Sequence, residues 1–205
     1  MTRRFLLLSA FVLLSGIIGG TPRSVAAADP ASFVGDLGSR ALAATRSGDT
    51  AAVREGRFRE LFRQGFDLEA CARSALGPYW QTATAQQRRE FLKLYEDYVV
   101  IGYSTHLGGI GGGSFKVLGS QPDREGFIVK SQITWINGPA PVGVNWQLHA
   151  TSNGYKVTDL IINRISMANA QRDDLISVIQ HNGGQVQALL VALREKNASN
   201  GSIIQ

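Results

Sequence analysis

Apolar positions in the first half of the chain recur at helical spacing. In "DPASFVGDLGSRALAATRS", Phe33, Leu37, Ala41 and Ala44 fall on one face. Asp29 is a candidate cap and Pro30 stands in the first turn, so the pattern predicts a helix that breaks at Ser47, Gly48 and Asp49. A second helix is expected in "TAAVREGRFRELFRQGF", with Phe58, Leu61, Phe62 and Phe66 on one side. Its Arg54, Arg57, Arg59 and Arg63 project elsewhere, as a solvated face or as a docking surface for anionic headgroups or an acidic partner. A third helix starts at Asp67 and ends at Gly77–Pro78. Thr84 followed by Gln87 matches a capping box and opens a long helix. That helix is polar in its first turns. It then becomes apolar almost all round, through Phe91, Leu92, Leu94, Tyr95, Tyr98, Val99, Val100, Ile101 and Tyr103. Such a helix is expected between layers, with protein or ligand on more than one side.

The period then changes from about 3.6 to 2. In "GFIVKSQITWI", Phe127, Val129, Ile133 and Trp135 alternate with Lys130, Gln132 and Thr134. In "PVGVNWQLHA", Val142, Val144, Trp146, Leu148 and Ala150 alternate with Asn145, Gln147 and His149. One wet and one apolar face predict an antiparallel sheet covered on one side. "SFKVLGS" supplies a first strand and "YKVTDLII" a last one, with hairpin connections at "NGPAP" and "SNG". Two helices close the domain, over "MANAQRDDLISVIQHN" and "GQVQALLVALREKN". The expected fold class is α+β: a curved antiparallel sheet of about four strands wrapped by helices, with an apolar cavity between them.

The ends of the chain refine this picture. "MTRRFLLLSAFVLLSGIIGG" has a basic start and an apolar run, and "VAAAD" follows with small residues at Ala26 and Ala28. Residues 1–28 read as a secretory signal peptide cleaved after Ala28. An uncleaved anchor is the competing reading, against which the apolar run is short for a bilayer. Residues 29–196 read as a single domain and residues 197–205 as a disordered tail. The whole chain has 205 residues and a net charge of +5. Removing the leader takes away Arg3, Arg4 and Arg23 and no acid, which leaves 177 residues at +2. No dense basic run remains, so nucleic acid is not an expected partner. The single cysteine, Cys71, cannot form an internal disulfide and reads as a buried, inert thiol.

Little in the sequence points to catalysis. His106, His149 and His181 lack metal-ligand spacing, and no nucleophile elbow is present. "GGIGGG" lacks the dinucleotide spacing and follows a helix, so it reads as a flexible helix-to-strand connection. Asp173–Asp174 suit a helix N-terminal dipole. Neither a cofactor nor a metal is expected. What remains is an aromatic constellation: Tyr79, Trp80, Tyr95, Tyr98, Tyr103, Trp135 and Trp146 come from four elements. They read either as core packing or as the wall and mouth of an apolar cavity, with Tyr OH and Trp NH groups at its wet rim.

The stretch "LGPYWQTATAQQRREFLKLYEDYVV" resembles a segment of the MlaC family of periplasmic phospholipid-binding proteins (also called toluene-tolerance proteins). That segment reads roughly Leu-Gly-x-Tyr-Trp-x-x-Ala-Thr-x-x-Gln-Arg-x-x-Phe. "YKVTDLIINRISMANAQRDDL" resembles their following segment, in which Lys-Val-x-Asp precedes an Ile-Ser pair, and "GGQVQALLVALREK" fits as well. The similarity covers about residues 33–196. The chain departs from the pattern at Asn163–Arg164, where the family usually has Gly before Ile-Ser, and in "GGIGGG". Those departures suit the subgroup associated with hopanoid biosynthesis.

The resemblance implies a nuclear-transport-factor-like sheet with added helices and lipid tails held in a deep cavity. It implies a periplasmic shuttle for phospholipid or a hopanoid-type lipid, running between an inner-membrane ABC transporter complex and an outer-membrane lipoprotein complex. No enzymatic activity is implied. The expected lipid-contacting residues on helices are Tyr79, Trp80, Phe91, Leu94, Tyr95, Tyr98, Val99 and Tyr103. On strands they are Val129, Ile133, Trp135, Val144, Trp146 and Leu148, with Ile165 and Met167 at the return to helix. Two sixteen-carbon chains carry about 30 methylenes at roughly 0.8 kcal/mol each, so an unaided crossing would cost about 24 kcal/mol. A carrier must offset nearly all of that with apolar wall. Two alternatives stand beside the carrier: a non-lipid interaction module, with a packed interior, and an enzyme using the same cavity, for which Asp159 or Tyr103 would be the candidates.

Overall fold

Short side chains that satisfy free backbone N–H groups set the helix starts, as the sequence pattern predicts. The computed structural model describes residues 29–45, 48–107, 113–136 and 140–202. The expected leader, residues 46–47, the glycine-rich connection over 108–112, the turn residues 137–139 and residues 203–205 lie outside the described residues. Helix α1 (Pro30–Ala44) begins at Asp29, whose carboxylate accepts from Ser32 N at 3.0 Å, with Pro30 in the first turn. Helix α2 (Ala51–Gly65) is capped by Thr50 and α3 (Leu68–Leu76) by Asp67, which accepts from Ala70 N at 2.9 Å. Gly77 ends α3 at φ 54° and ψ −132°, a conformation open to glycine. A Cβ there would stand 2.9 Å from Ile176 of a later helix. The short α4 (Tyr79–Thr82) follows, then α5 (Ala85–Leu107). The capping box is formed: Gln87 N donates to Thr84 Oγ1 at 3.2 Å, and Thr84 N donates to Gln87 Oε1 at 3.0 Å.

The sheet is an antiparallel meander in the order β1 (Gly113–Asp123), β2 (Gly126–Trp135), β3 (Val142–Thr151), β4 (Gly154–Ile162) and β5 (Ile165–Ser166). It has five strands where about four are expected; the fifth is two residues long. Helices α6 (Met167–His181) and α7 (Val186–Ser202) close the chain. The tail expectation is corrected here, because residues 197–202 continue α7 as helix. Asn197 ties that end down by donating to Leu94 O of α5 at 3.0 Å.

Register decides which side chains face the helices. Val129 pairs with Trp146 and Ser131 with Val144; Trp146 pairs with Leu160 and Val144 with Ile162. A bulge between Gln147 and Leu148 leaves Thr158 opposite no residue of β3. It switches the inward parity of β4: Tyr155 and Val157 face the core before the bulge, and Leu160 and Ile162 lie on the covered face after it. Helix α5 packs against α2, α3 and α7 and also reaches the space above the sheet, so it is enclosed on several sides as its apolar girth predicts. The joint between α2 and α3 is fixed to β4, where Asp67 N donates to Val157 O at 3.0 Å. Among the described residues no helix is long and apolar enough to cross a membrane.

Candidate functional site

Helices α1, α2 and α5 stand over the first four strands without filling the space beneath them. They leave an apolar cavity of about 360 Å³. Helix α1 contributes Leu37, Gly38, Ala41 and Leu42, with Thr45 just beyond its end, and α2 contributes Phe58, Leu61 and Phe62, with Phe66 just beyond its end. Helix α5 adds Val99, Val100 and Tyr103. The sheet supplies the floor through Phe115, Ile133, Trp135, Val142, Val144 and Trp146, then Leu160, Ile162 and Asn163. Gly38 lets the Phe115 ring lie on the α1 backbone, since a Cβ there would come within 2.2 Å of that ring.

The polar atoms of this wall are handled case by case. Thr45 Oγ1 donates to Leu42 O at 2.8 Å. The indole of Trp146 donates from Nε1 to Ser131 Oγ at 2.8 Å, and Ser131 Oγ donates to Val144 O at 3.1 Å. Ser131 is buried on the sheet's covered face, between Val129 and Ile133, where strand alternation calls for an apolar residue. Tyr103 reaches the cavity, and burial, helped by the charge of Asp159, pushes its phenol up to about 12. It stays protonated and neutral at any physiological pH.

Six of the expected lipid-contacting residues meet on this wall: Val99, Tyr103, Ile133, Trp135, Val144 and Trp146. Ten do not. Tyr95 and Met167 line an adjoining void of about 30 Å³, which shares Phe62, Phe66, Val99, Tyr103 and Leu160 with the cavity and is bounded also by Cys71 and Asp159. Tyr95 donates there to Gln171 Oε1 at 2.6 Å. Phe91, Val129 and Leu148 belong to the solid core. Leu94, Tyr98 and Tyr79 are half-buried against that core, and Lys196 sits 4.9 Å from the Tyr98 ring centroid. Ile165 is 57% exposed.

Trp80 is also off the wall. It is 7% exposed in the core, with the Arg73 and Arg88 guanidinium carbons 5.4 and 5.8 Å from its ring centroid. Tyr79 and Trp80 therefore brace the α3–α5 junction and do not form the cavity wall or rim. The wall residues not expected from the sequence are the positions of α1 and α2, together with Val100 of α5 and Phe115, Val142, Leu160, Ile162 and Asn163 on or beside the sheet. Helical periodicity marks the α1 and α2 positions as inward-facing, but nothing local says that the space they face is hollow.

The clustered arginines of α2 are mostly spent within the fold. Arg59 bridges to Glu55, Asp97 and Glu96 at 2.8, 2.6 and 3.3 Å, and Arg63 Nε reaches Glu96 at 2.7 Å. Burial alone would lower the Arg59 pKa; the surrounding carboxylates reverse that and raise it. The cluster fastens α2, one wall of the cavity, to α5. Asp159, a candidate acid of the enzyme alternative, accepts from Ser166 Oγ at 2.5 Å and Ala168 N at 2.9 Å, so both its oxygens serve the start of α6. His149 stands 3.2 Å from Asp67, and His181 bonds within its own helix.

The sequence model of the MlaC protein family matches residues 39–195. The chain belongs to the MlaC family. A solved structure of the phospholipid-binding protein from Ralstonia solanacearum, in complex with a phospholipid, matches with a TM-score of 0.72 at 21% sequence identity. The match covers 85% of this chain and 99% of that one. At that identity the likeness establishes a shared fold, and the meander with its covering helices is the MlaC-type architecture.

Proposed function

We propose that this MlaC-family chain is a periplasmic lipid carrier that shelters acyl chains between α1, α2, α5 and the sheet. In this reading it shuttles phospholipid or a hopanoid-type lipid between an inner-membrane ABC transporter complex and an outer-membrane lipoprotein complex. The observation that carries the reading is the cavity itself, whose wall combines aliphatic and aromatic side chains from three helices and four strands. Such a wall has no use in a packed interaction module, and it offers little to an enzyme. Asp159, the candidate acid, is engaged at α6 through both oxygens and lies off the wall.

The volume, about 360 Å³, is at the small end of the roughly 300–1,000 Å³ range of pockets for drug-sized ligands. A two-chain lipid is larger than such ligands, so loading one requires the covering helices to move outward.

Native mass spectrometry of the purified protein, with lipid extraction of the same sample, tests the reading. A stoichiometric lipid adduct is expected. Ala41→Trp places an indole in the cavity from α1 and should remove most of the adduct, with an overpacking cost of about 1–3 kcal/mol. A chain that stays free of lipid after incubation with both phospholipid and hopanoid vesicles would overturn the carrier reading.

A further inference from the structure

The cavity has two unlike ends. Toward β1, an edge strand of the sheet, it is bounded by Phe115 and α1. Toward β4 it meets the adjoining void of about 30 Å³, whose strand residues all belong to β4. Cys71 of α3 and Gln171 of α6 bound that void on its far side. The polar groups there are engaged. Cys71 Sγ donates to Thr158 O at 3.5 Å, Tyr95 donates to Gln171, and Asp159 serves the start of α6. Helices α2 and α5 flank this end and are fastened to each other around Glu96. It is the fixed end of the hollow, and α1 covers the other.

Five side chains stand between the cavity and the void: Phe62, Phe66, Val99, Tyr103 and Leu160. Phe62 and Phe66 hold each other in a stack with ring centroids 4.9 Å apart. Val99 and Leu160 are short. Tyr103 is the longest of the five and follows Val99 by one helical turn, on the same face of α5. Burial raises the pKa of its phenol, and Asp159, Tyr98 and Cys71 add to the rise. Asp159 and Cys71 bound the void and not the cavity, which sets the hydroxyl end of Tyr103 on the void side. Its ring lies across the boundary.

The geometry points to Tyr103 as the end stop of the cavity: its ring closes the way from the hollow into the void and sets the longest acyl chain that the protein shelters. The inference rests on the carrier reading and deepens it, because one side chain then selects among lipids by chain length. Methylenes beyond the limit must stay in water or press on packed rings, and packed interiors resist even one added methylene. Removing the ring joins the hollow to the void. The engaged polar groups of the far wall remain, so the gain in length is bounded.

The test presents the purified protein with phosphatidylglycerols that carry two identical monounsaturated chains, from fourteen to twenty-two carbons, together in equal amounts in one vesicle preparation. Native mass spectrometry reads which lengths are retained from the adduct masses. Wild-type retention should fall about tenfold for each two carbons beyond a limit, the cost of leaving two methylenes in water. Tyr103→Ala should move that limit up by about one two-carbon step and retain the first length beyond the wild-type limit about tenfold better. Tyr103→Phe keeps the ring and should keep the wild-type limit; a limit moved by that change would overturn the role of the ring. If Tyr103→Ala loses its fold by circular dichroism, Tyr103→Leu makes a smaller opening and should move the limit in the same direction. An unmoved limit in the folded truncation variant, or no limit within the series, would overturn the stop and leave the carrier reading standing. Failure of wild type to take up any of the lengths would overturn both.

Discussion

Ser131 is a hydroxyl buried on the covered face of the sheet, and Trp146 explains how it can be there. Its oxygen accepts the indole proton while its own proton goes to Val144 O, so two polar groups and one carbonyl are satisfied together beside an apolar cavity. Trp80 is buried for a different reason. It packs in the α3–α5 core beneath two guanidinium groups, away from the cavity. Trp80→Ala should therefore cost about 3–5 kcal/mol in chemical denaturation, as large aromatic truncations in cores do. The fraction that remains folded should carry lipid at the wild-type ratio; a folded but lipid-free variant would return Trp80 to the cavity. The sequence placed Trp80 with the lipid-facing aromatics because aromatic character is the same in a core and in a wall. Only the neighbours differ, and Arg73 and Arg88 are brought there by the fold.

At the scale of elements, α2 is a wall held by charge. Glu96 is buried and receives both Arg59 and Arg63, while Arg59 also holds Asp97 and Glu55. Arg59→Ala should cost about 1 kcal/mol, because the remaining partner still covers Glu96 and the site is partly open to solvent. Replacing Arg59 and Arg63 together strands a buried carboxylate and should cost about 3–5 kcal/mol. Hydrogen exchange in α2 should rise in the double variant while α6 and α7 keep their protection, and transfer of lipid to acceptor vesicles should quicken. Uniform loss of protection along the chain would mean that the cluster stabilises the whole fold and does not govern one wall.

Helix starts were readable because Asp29, Asp67 and the Thr84–Gln87 box act within one turn. Two features of the sheet's inner face, in β2 and β4, were not readable. The bulge at Thr158 shifts the inward set from Tyr155 and Val157 to Leu160 and Ile162, and the buried Ser131 interrupts β2. Both depend on a neighbouring strand, which a single strand's alternation cannot reveal. The hollow itself depends on how far α1 and α2 stand from the sheet. That is a tertiary distance, and no spacing along the chain encodes it.

For the whole molecule, burial of protonated groups sets behaviour at high pH. Cys71 and Tyr103 are each pushed up to about 12, chiefly by burial, from ordinary values of 9.0 and 10.0. Tyr95, likewise buried, is also raised. The folded chain keeps protons that the unfolded chain releases. Their contribution is complete below about pH 9 and is lost as pH rises through about 12. Melting temperature should hold steady at neutral pH and fall progressively above pH 9, and Cys71→Ala with Tyr103→Phe should flatten that fall. An unchanged slope in the double variant would assign the alkaline loss to other groups.

The chain has three tryptophans, and the fold sorts them by depth: Trp80 in solid core, Trp146 on the cavity floor with its N–H committed to Ser131, and Trp135 on the cavity wall at the end of β2. A molecule entering the hollow would change the polarity around two of these indoles and leave the third as a constant. The protein thus contains its own fluorometer, in which the colour and intensity of emitted light track whether the hollow is filled.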